Sequence, residues 1–287
     1  MNEQEHIAAV SSFLLQSPPG QINDVLNDVR NIVADDESLQ QGIMPALLAY
    51  NLAQFIVADI PGTSHTAIVS EAAKAGEEDD RFVDPRSKTS YKFDHIALEA
   101  SDPQPIELDA ESEPFRAALE SATLQYLSAH YHEGNASVFA TPNTPRRFTI
   151  QIVANKYNPA NFWSGRWRSQ YDIDLVENTV TGLILVNVHY YENGNVQLET
   201  KHNGTLALPP TISVDAPSPS ATKLLALIKE FEGTCQVSLS DTYHEMGEKS
   251  FKALRRALPL TRQKLDWEKV LGYKLGQELA GAKVGGS

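Results

Sequence analysis

Thr179–Thr200, TVTGLILVNVHYYENGNVQLET, decides the fold. Its first part, Thr179–Tyr191, is rich in β-branched and apolar residues, the composition of a strand. Asn193-Gly194 follows. Both residues tolerate positive φ, so the pair predicts a two-residue hairpin turn. Val196, Leu198 and Thr200 carry the return strand. Upstream the same period of two holds from Arg147 onward. Phe148, Ile150 and Ile152 alternate with Thr149, Gln151 and Val153; Trp167, Tyr171, Ile173 and Leu175 alternate with Arg168, Gln170, Asp172 and Asp174. Short links between such strands predict an antiparallel meander.

Downstream, Pro209, Pro210, Pro217 and Pro219 form a linker, and no proline recurs before Pro259. Across that gap Leu224, Leu227, Ile228, Phe231, Cys235, Leu239, Tyr243 and Met246 keep helical spacing, which predicts one long helix covering a face of the meander. Toward the N-terminus, helices are predicted over Glu3–Gln16, from Ile22 to Val33, and over Pro45–Ile56, with Asp35–Ser38 as a break. Short turns between them suggest an antiparallel helical unit. The middle is less regular. Ala72–Asp80 reads as an exposed acidic loop, Tyr91, Phe93 and His95 as a strand, Pro103 and Pro105 as breakers, and Ser112–His132 as a fourth helix.

Composition bounds the function. The chain of 287 residues is 41% hydrophobic and 21% charged, as globular proteins are. The N-terminal stretch MNEQEHIAAVSSFLLQS has acidic residues first and only a short apolar run, so no signal peptide is expected. The longest apolar-rich run, Gly182–Val188, is far short of a membrane span. The single cysteine, Cys235, rules out an internal disulfide and fits a reducing compartment, so the chain reads as cytoplasmic. The formal net charge is −13, which argues against duplex nucleic acid as a partner.

No phosphate-binding loop, dinucleotide fingerprint, HExxH or GxSxG is present, and neither an enzyme activity nor a cofactor is expected. His130 and His132 lie on different helix faces, so no metal site is predicted. His189 and His202 flank the hairpin and read as surface or cross-strand residues. Cys235 sits on the apolar stripe of the long helix and reads as a structural thiol. Trp163, Arg166, Trp167 and Arg168 mix aromatic and basic side chains as single-strand nucleic-acid platforms do. Strand alternation instead predicts Trp167 in the core and Arg168 outside.

The tail differs from the body. Residues 247–287 hold nine Lys+Arg against four Asp+Glu, a balance of +5, which leaves −18 on residues 1–246. Lys252, Arg255 and Arg256 fall at helical spacing before Pro259, which ends or kinks that helix. Arg262 and Lys264 sit at the joint. Leu265, Trp267, Val270, Leu271, Leu275 and Leu279 then mark one face of a second, amphipathic helix. Such a tail suits a negatively charged partner. The bland alternative is a helix packed on its own domain with a solvated basic face.

FKALRRALPLTR (Phe251–Arg262), with LDW after it, resembles the C-terminal signature of the F-actin capping protein alpha subunit family. FVDPR (Phe82–Arg86), YKFDH (Tyr91–His95), ASDPQP (Ala100–Pro105), NFWSGRWRS (Asn161–Ser169) and VHYYENGNVQL (Val188–Leu198) are also similar to family motifs, in order along nearly the whole chain. The resemblance implies an α+β fold: an N-terminal antiparallel helical stalk (1–57), a small mixed globule with one helix (58–146), an antiparallel sheet (147–208), a long helix packed on the sheet (218–258) and a C-terminal amphipathic actin-binding tail (259–287). It implies the alpha subunit of a heterodimer with a beta subunit of similar fold, sharing a sheet. That heterodimer binds the barbed end of actin filaments and blocks subunit addition and loss without severing. Lys252, Arg256 and Arg262 are the matched basic residues that meet actin, with Arg255 in the same motif. Trp267, Val270, Leu271 and Leu275 are the apolar face that enters a groove on actin. The expected place is the cortical actin cytoskeleton, and anionic phosphoinositides are a further expected ligand. The rival reading of the same tail is a peripheral module that binds anionic membrane.

Overall fold

The computed structural model describes residues 3–32, 36–76, 80–131, 133–142, 144, 146–192 and 195–245. It begins with three helices, α1 (Glu3–Leu15), α2 (Ile22–Ile32) and α3 (Asp36–Gln54). Val10 and Leu14, Ile22, Leu26 and Val29, and Ile43, Leu47 and Tyr50 repeat every three to four residues and form one shared core. The Tyr50 hydroxyl donates to the carbonyls of Ser17 and Pro18, each at 3.2 Å, and so pins the α1–α2 turn to α3. The third helix differs from expectation: it starts at Asp36, and Pro45 lies inside it. Pro45 and Gln41, whose carbonyl loses its donor, are both exposed, so water replaces the missing bond. The helix stops where Phe55 takes φ 52°, and Ile56 already belongs to a strand.

Two small antiparallel sheets follow. One pairs β1 (Ile56–Asp59) with β2 (Thr66–Val69); the other orders β3 (Arg81–Asp84), β4 (Thr89–Asp94) and β5 (Glu99–Pro105). Pro103 and Pro105 do not break the chain as expected. They lie on an edge strand, where a missing N–H costs no ladder bond on the open side. Phe82, Tyr91, Phe93 and Phe139 fill the core beneath. Helix α4 (Glu113–His130) comes next.

The large sheet has five strands in chain order, all antiparallel: β6 (Gly134–Ala140), β7 (Arg147–Asn158), β8 (Trp163–Asp174), β9 (Thr179–Tyr190) and β10 (Val196–Ala207). It begins upstream of the expected boundary at 147, because Gly134–Ala140 pairs with Phe148–Ala154. The hairpin register also departs from expectation. A two-residue turn on Asn193-Gly194 would set Tyr191 opposite Val196, but Val196 pairs with Tyr190 across a five-residue link whose centre lies outside the described residues. A slip of one residue reverses every side chain. His189, opposite Ser164 of β8, points inward, where its Nε2 meets Asn195 Oδ1 at 3.1 Å and its Nδ1 meets Gln21 at 3.1 Å.

The last described element is α5 (Pro217–Glu245). Ala221, Leu224, Leu225, Ile228, Phe231 and Cys235 are buried, whereas Tyr243 is exposed, so the apolar spacing outlasts the burial. By contacts the chain forms two units, Met1–Cys235 and Gln236–Ser287. In the first, α4 and α5 lie on one sheet face. Phe115 stacks on Phe148 at 4.9 Å, and Phe231 approaches His202 at 4.8 Å and Tyr171 at 6.3 Å. Gly182 and Gly204 leave room for that ring; a Cβ on either would come within 2.8 or 2.9 Å of it. In the second unit, the described residues Gln236–Glu245 continue α5.

Candidate protein-interaction surfaces

The residues the sequence nominates for binding, Lys252, Arg255, Arg256, Arg262, Trp267, Val270, Leu271 and Leu275, all lie outside the described residues. So do Met246 and the expected helix end at 258. Before them in sequence lie α5 and the sheet that its first part covers.

Helix α5 is held by a residue that sequence reasoning passed over. Glu232 occupies the apolar stripe of α5, four residues after Ile228 and three before Cys235, and is buried. Its Oε1 accepts from Tyr171 at 2.6 Å and from Ser169 at 3.4 Å. Its Oε2 accepts from Tyr126 at 2.5 Å and Tyr131 at 2.8 Å. One carboxylate thus ties α5 to α4 and to β8. Burial raises the pKa of all three tyrosines, and the adjacent carboxylate raises them further by disfavouring a second negative charge. The signal available in the sequence was a carboxylate set on an apolar helix face, which demands partners. Cys235, one turn further on, is a buried free thiol pushed up by desolvation and then by Glu232. A thiol so shifted is a poor nucleophile, as its place on the stripe suggested.

The opposite face overturns the reading of Trp167 and Arg168. Arg168 is buried and Trp167 is only half-buried. The reason is the end of α3. Its last carbonyls have no donors within the helix and carry the negative end of the helix dipole. Arg168 Nη1 donates to the Ala53 carbonyl, and Arg166 Nη1 to the Gln54 carbonyl at 3.3 Å. His189, read as a surface or cross-strand residue, is buried and paired across strands with Ser164 and Gln197. It and His202 lie on opposite sheet faces, since Gln197, the partner of His189, is an odd number of residues from His202. His130 stacks on Tyr126 at 4.4 Å, and His132 lies outside the described residues. Among the described residues no cluster of His, Cys, Asp and Glu could hold a metal ion. No helix there is long and apolar enough to cross a membrane.

The two sheet edges are unequal. The β6 side is flanked by β2, and Thr66 Oγ1 donates to Asn135 Oδ1 across them. On the other side, among the described residues no strand pairs with the outer side of β10, a strand of twelve residues. A long unpaired edge is a template for another chain.

An open edge strand beside a helix-covered sheet face is the kind of surface on which protein subunits assemble. The family model for the F-actin capping protein alpha subunit matches residues 10–278, and the chain belongs to that family. The F-actin-capping protein subunit alpha of Chaetomium thermophilum is 38% identical over 282 residues, which cover 98% of each chain. That of Caenorhabditis elegans is 34% identical over 286 residues, covering 97% of this chain and 99% of its own. The solved structure of the homodimeric actin capping protein alpha subunit from Plasmodium berghei matches with a TM-score of 0.69 at 20% identity. It covers 90% of this chain and 99% of that one, and so shares the fold.

Proposed function

We propose that this chain is the alpha subunit of a heterodimeric actin-capping protein that binds filament barbed ends and blocks subunit addition and loss without severing. The observation that carries the proposal is the family match, which runs from the first helix through the basic tail, residues 10–278. No bond is made or broken; the task is affinity. Lys252, Arg255, Arg256 and Arg262 steer the encounter with an acidic actin surface through long-range charge. Trp267, Val270, Leu271 and Leu275 then form a desolvated helix face in an actin groove, which slows release.

The open β10 edge supports a partner that continues the sheet. In this reading the partner is a beta subunit; a second copy of the chain is the competing occupant, since the Plasmodium berghei relative is homodimeric. The domain plan that goes with it is a helical stalk over 1–57, a mixed globule and then the sheet, which meet at Gly134 and not at 147, a long helix over 218–258 and the actin-binding tail over 259–287. The place of action is the cytoplasm and its actin cytoskeleton, with cortical actin the finer proposal. Anionic phosphoinositides would compete for the same basic residues. No observation favours the membrane module over the actin reading.

The deciding experiment is barbed-end elongation with the chain co-expressed with a candidate beta subunit. Elongation should stop at substoichiometric protein. Unchanged elongation by a well-folded heterodimer would sink the proposal, and capping by the chain alone as a homodimer would replace the beta subunit in it.

A further inference from the structure

On the sheet face opposite α5, a cavity of about 210 Å³ opens between the α1–α2 turn, the end of α3 and strands β9 and β10; Ser17, Gln54, Asn187, His189 and Gln197 are on its wall. Behind it stand Arg166 and Arg168, 6% and 4% exposed. Among the described residues, every hydrogen bond these two guanidiniums make goes to a neutral oxygen, on Ala53, Gln54, Asn155, Tyr157 or Asn187. Glu199, exposed on the cavity rim, acts on Arg168 only through space. The α3 dipole offsets about half a charge, and two are buried. Arg168 shows the imbalance: burial, and then the charge of Arg166, push it down to about 10.

The arginines also orient the wall. Asn187 turns Oδ1 to Arg168 at 2.5 Å, and Gln54 turns Oε1 to Arg166 at 3.3 Å. Asn187 Nδ2 and Gln54 Nε2, the donor ends of the two carboxamides, are thereby left for the cavity. On the same face the Ser164 hydroxyl and Arg168 Nε are buried with no hydrogen-bond partner. Unused donors backed by buried positive charge that no carboxylate touches among the described residues are what an anion site requires.

We propose that this cavity binds a small oxyanion, of phosphate or carboxylate type, between the carboxamides of Asn187 and Gln54 with Arg166 and Arg168 behind them. The test uses the full chain co-expressed with its partner subunit, titrated with inorganic phosphate or acetate against chloride at matched ionic strength. Phosphate, acetate or both should raise the melting temperature in a saturable way, and whichever does so names the type. Asn187→Asp places a carboxylate against Arg168, so it should raise the melting temperature without added anion and abolish the anion's increment. Gln54→Glu does the same at Arg166 and serves if the first variant fails to fold. No anion-specific shift in the parent chain overturns the proposal. So does a shift that both variants keep in full, which would place the anion elsewhere, on the basic tail for instance.

Discussion

Both faces of the five-stranded sheet hold buried residues, by opposite means. The face toward α4 and α5 carries Phe148, Ile150, Ile152, Tyr171, Ile173, Val180 and Ile184, and holds the buried carboxylate of Glu232, which four hydroxyls satisfy. The face toward α3 carries Gln151, Arg166, Arg168 and His189, equally buried and spread among amides and helix carbonyls. Alternation along a strand sorts residues between faces but does not say that the polar face meets water. A helix end laid against a sheet needs donors, and here arginines supply them.

The comparison breaks most sharply at Glu232. Glu232→Ala strands three buried tyrosine hydroxyls, each worth ~1–3 kcal/mol when left unsatisfied. The heterodimer should lose at least ~3 kcal/mol, read from urea midpoints. A loss under ~1 kcal/mol would show that packing alone holds α5, and that its carboxylate is incidental. On the other face, Arg168→Met should cost ~2 kcal/mol, because the Ala53 carbonyl at the end of α3 and Asn187 Oδ1 both lose their donor. Had Arg168 been outside, as alternation suggested, the change would stay within ~0.5 kcal/mol. That smaller value, measured the same way, would restore the simpler picture.

These residues also mark what the sequence made legible. Strands β7 to β10, helices α1 and α2, and α5 through Cys235 follow from period and composition, because their apolar and β-branched residues recur at strand or helix spacing. The fold of α3 did not follow, since a proline on the solvent side of a helix is tolerated and reads the same as one that starts it. Strand β6, GNASVFA, is short and opens on Gly134-Asn135, a turn signal rather than a strand signal. The inward place of His189 involves a partner 168 residues away, Gln21. No local pattern carries that. The binding residues were legible only through resemblance, since a basic amphipathic tail by itself serves an actin surface, a membrane or its own domain equally well.

A smaller effect sharpens the tyrosine face through pH. Tyr126, Tyr131 and Tyr171 have folded pKa values raised above the ordinary 10.0, chiefly by burial. Above pH ~10 the unfolded chain therefore loses protons that the folded chain keeps, so stability present below that pH falls as pH rises. Tyr171→Phe removes one of these groups. It should lower stability by ~1 kcal/mol at neutral pH and flatten the decline between pH 10 and 11. An unchanged alkaline slope in the variant would show that Tyr171 does not differ between folded and unfolded states.

The smallest effect on stability is expected from the largest deletion. Ending the chain after Leu260 removes Thr261–Ser287, with Arg262, Trp267, Val270, Leu271 and Leu275. If those apolar residues were part of the fold's core, each would be worth ~1.5–3 kcal/mol, against a total of only ~5–15 kcal/mol. Truncation would then unfold the protein. The actin-binding reading requires an unchanged melting temperature and a heterodimer that still assembles. It also requires weak capping with a faster off-rate, because an apolar helix acts mainly after encounter. Melting and single-filament dwell times on one preparation separate the outcomes. A large fall in melting temperature assigns the tail to the core, and full capping with normal dwell times removes it from the actin interface. A stable heterodimer with short dwell times leaves the sheet and α5 as the scaffold and the tail as the part that holds actin.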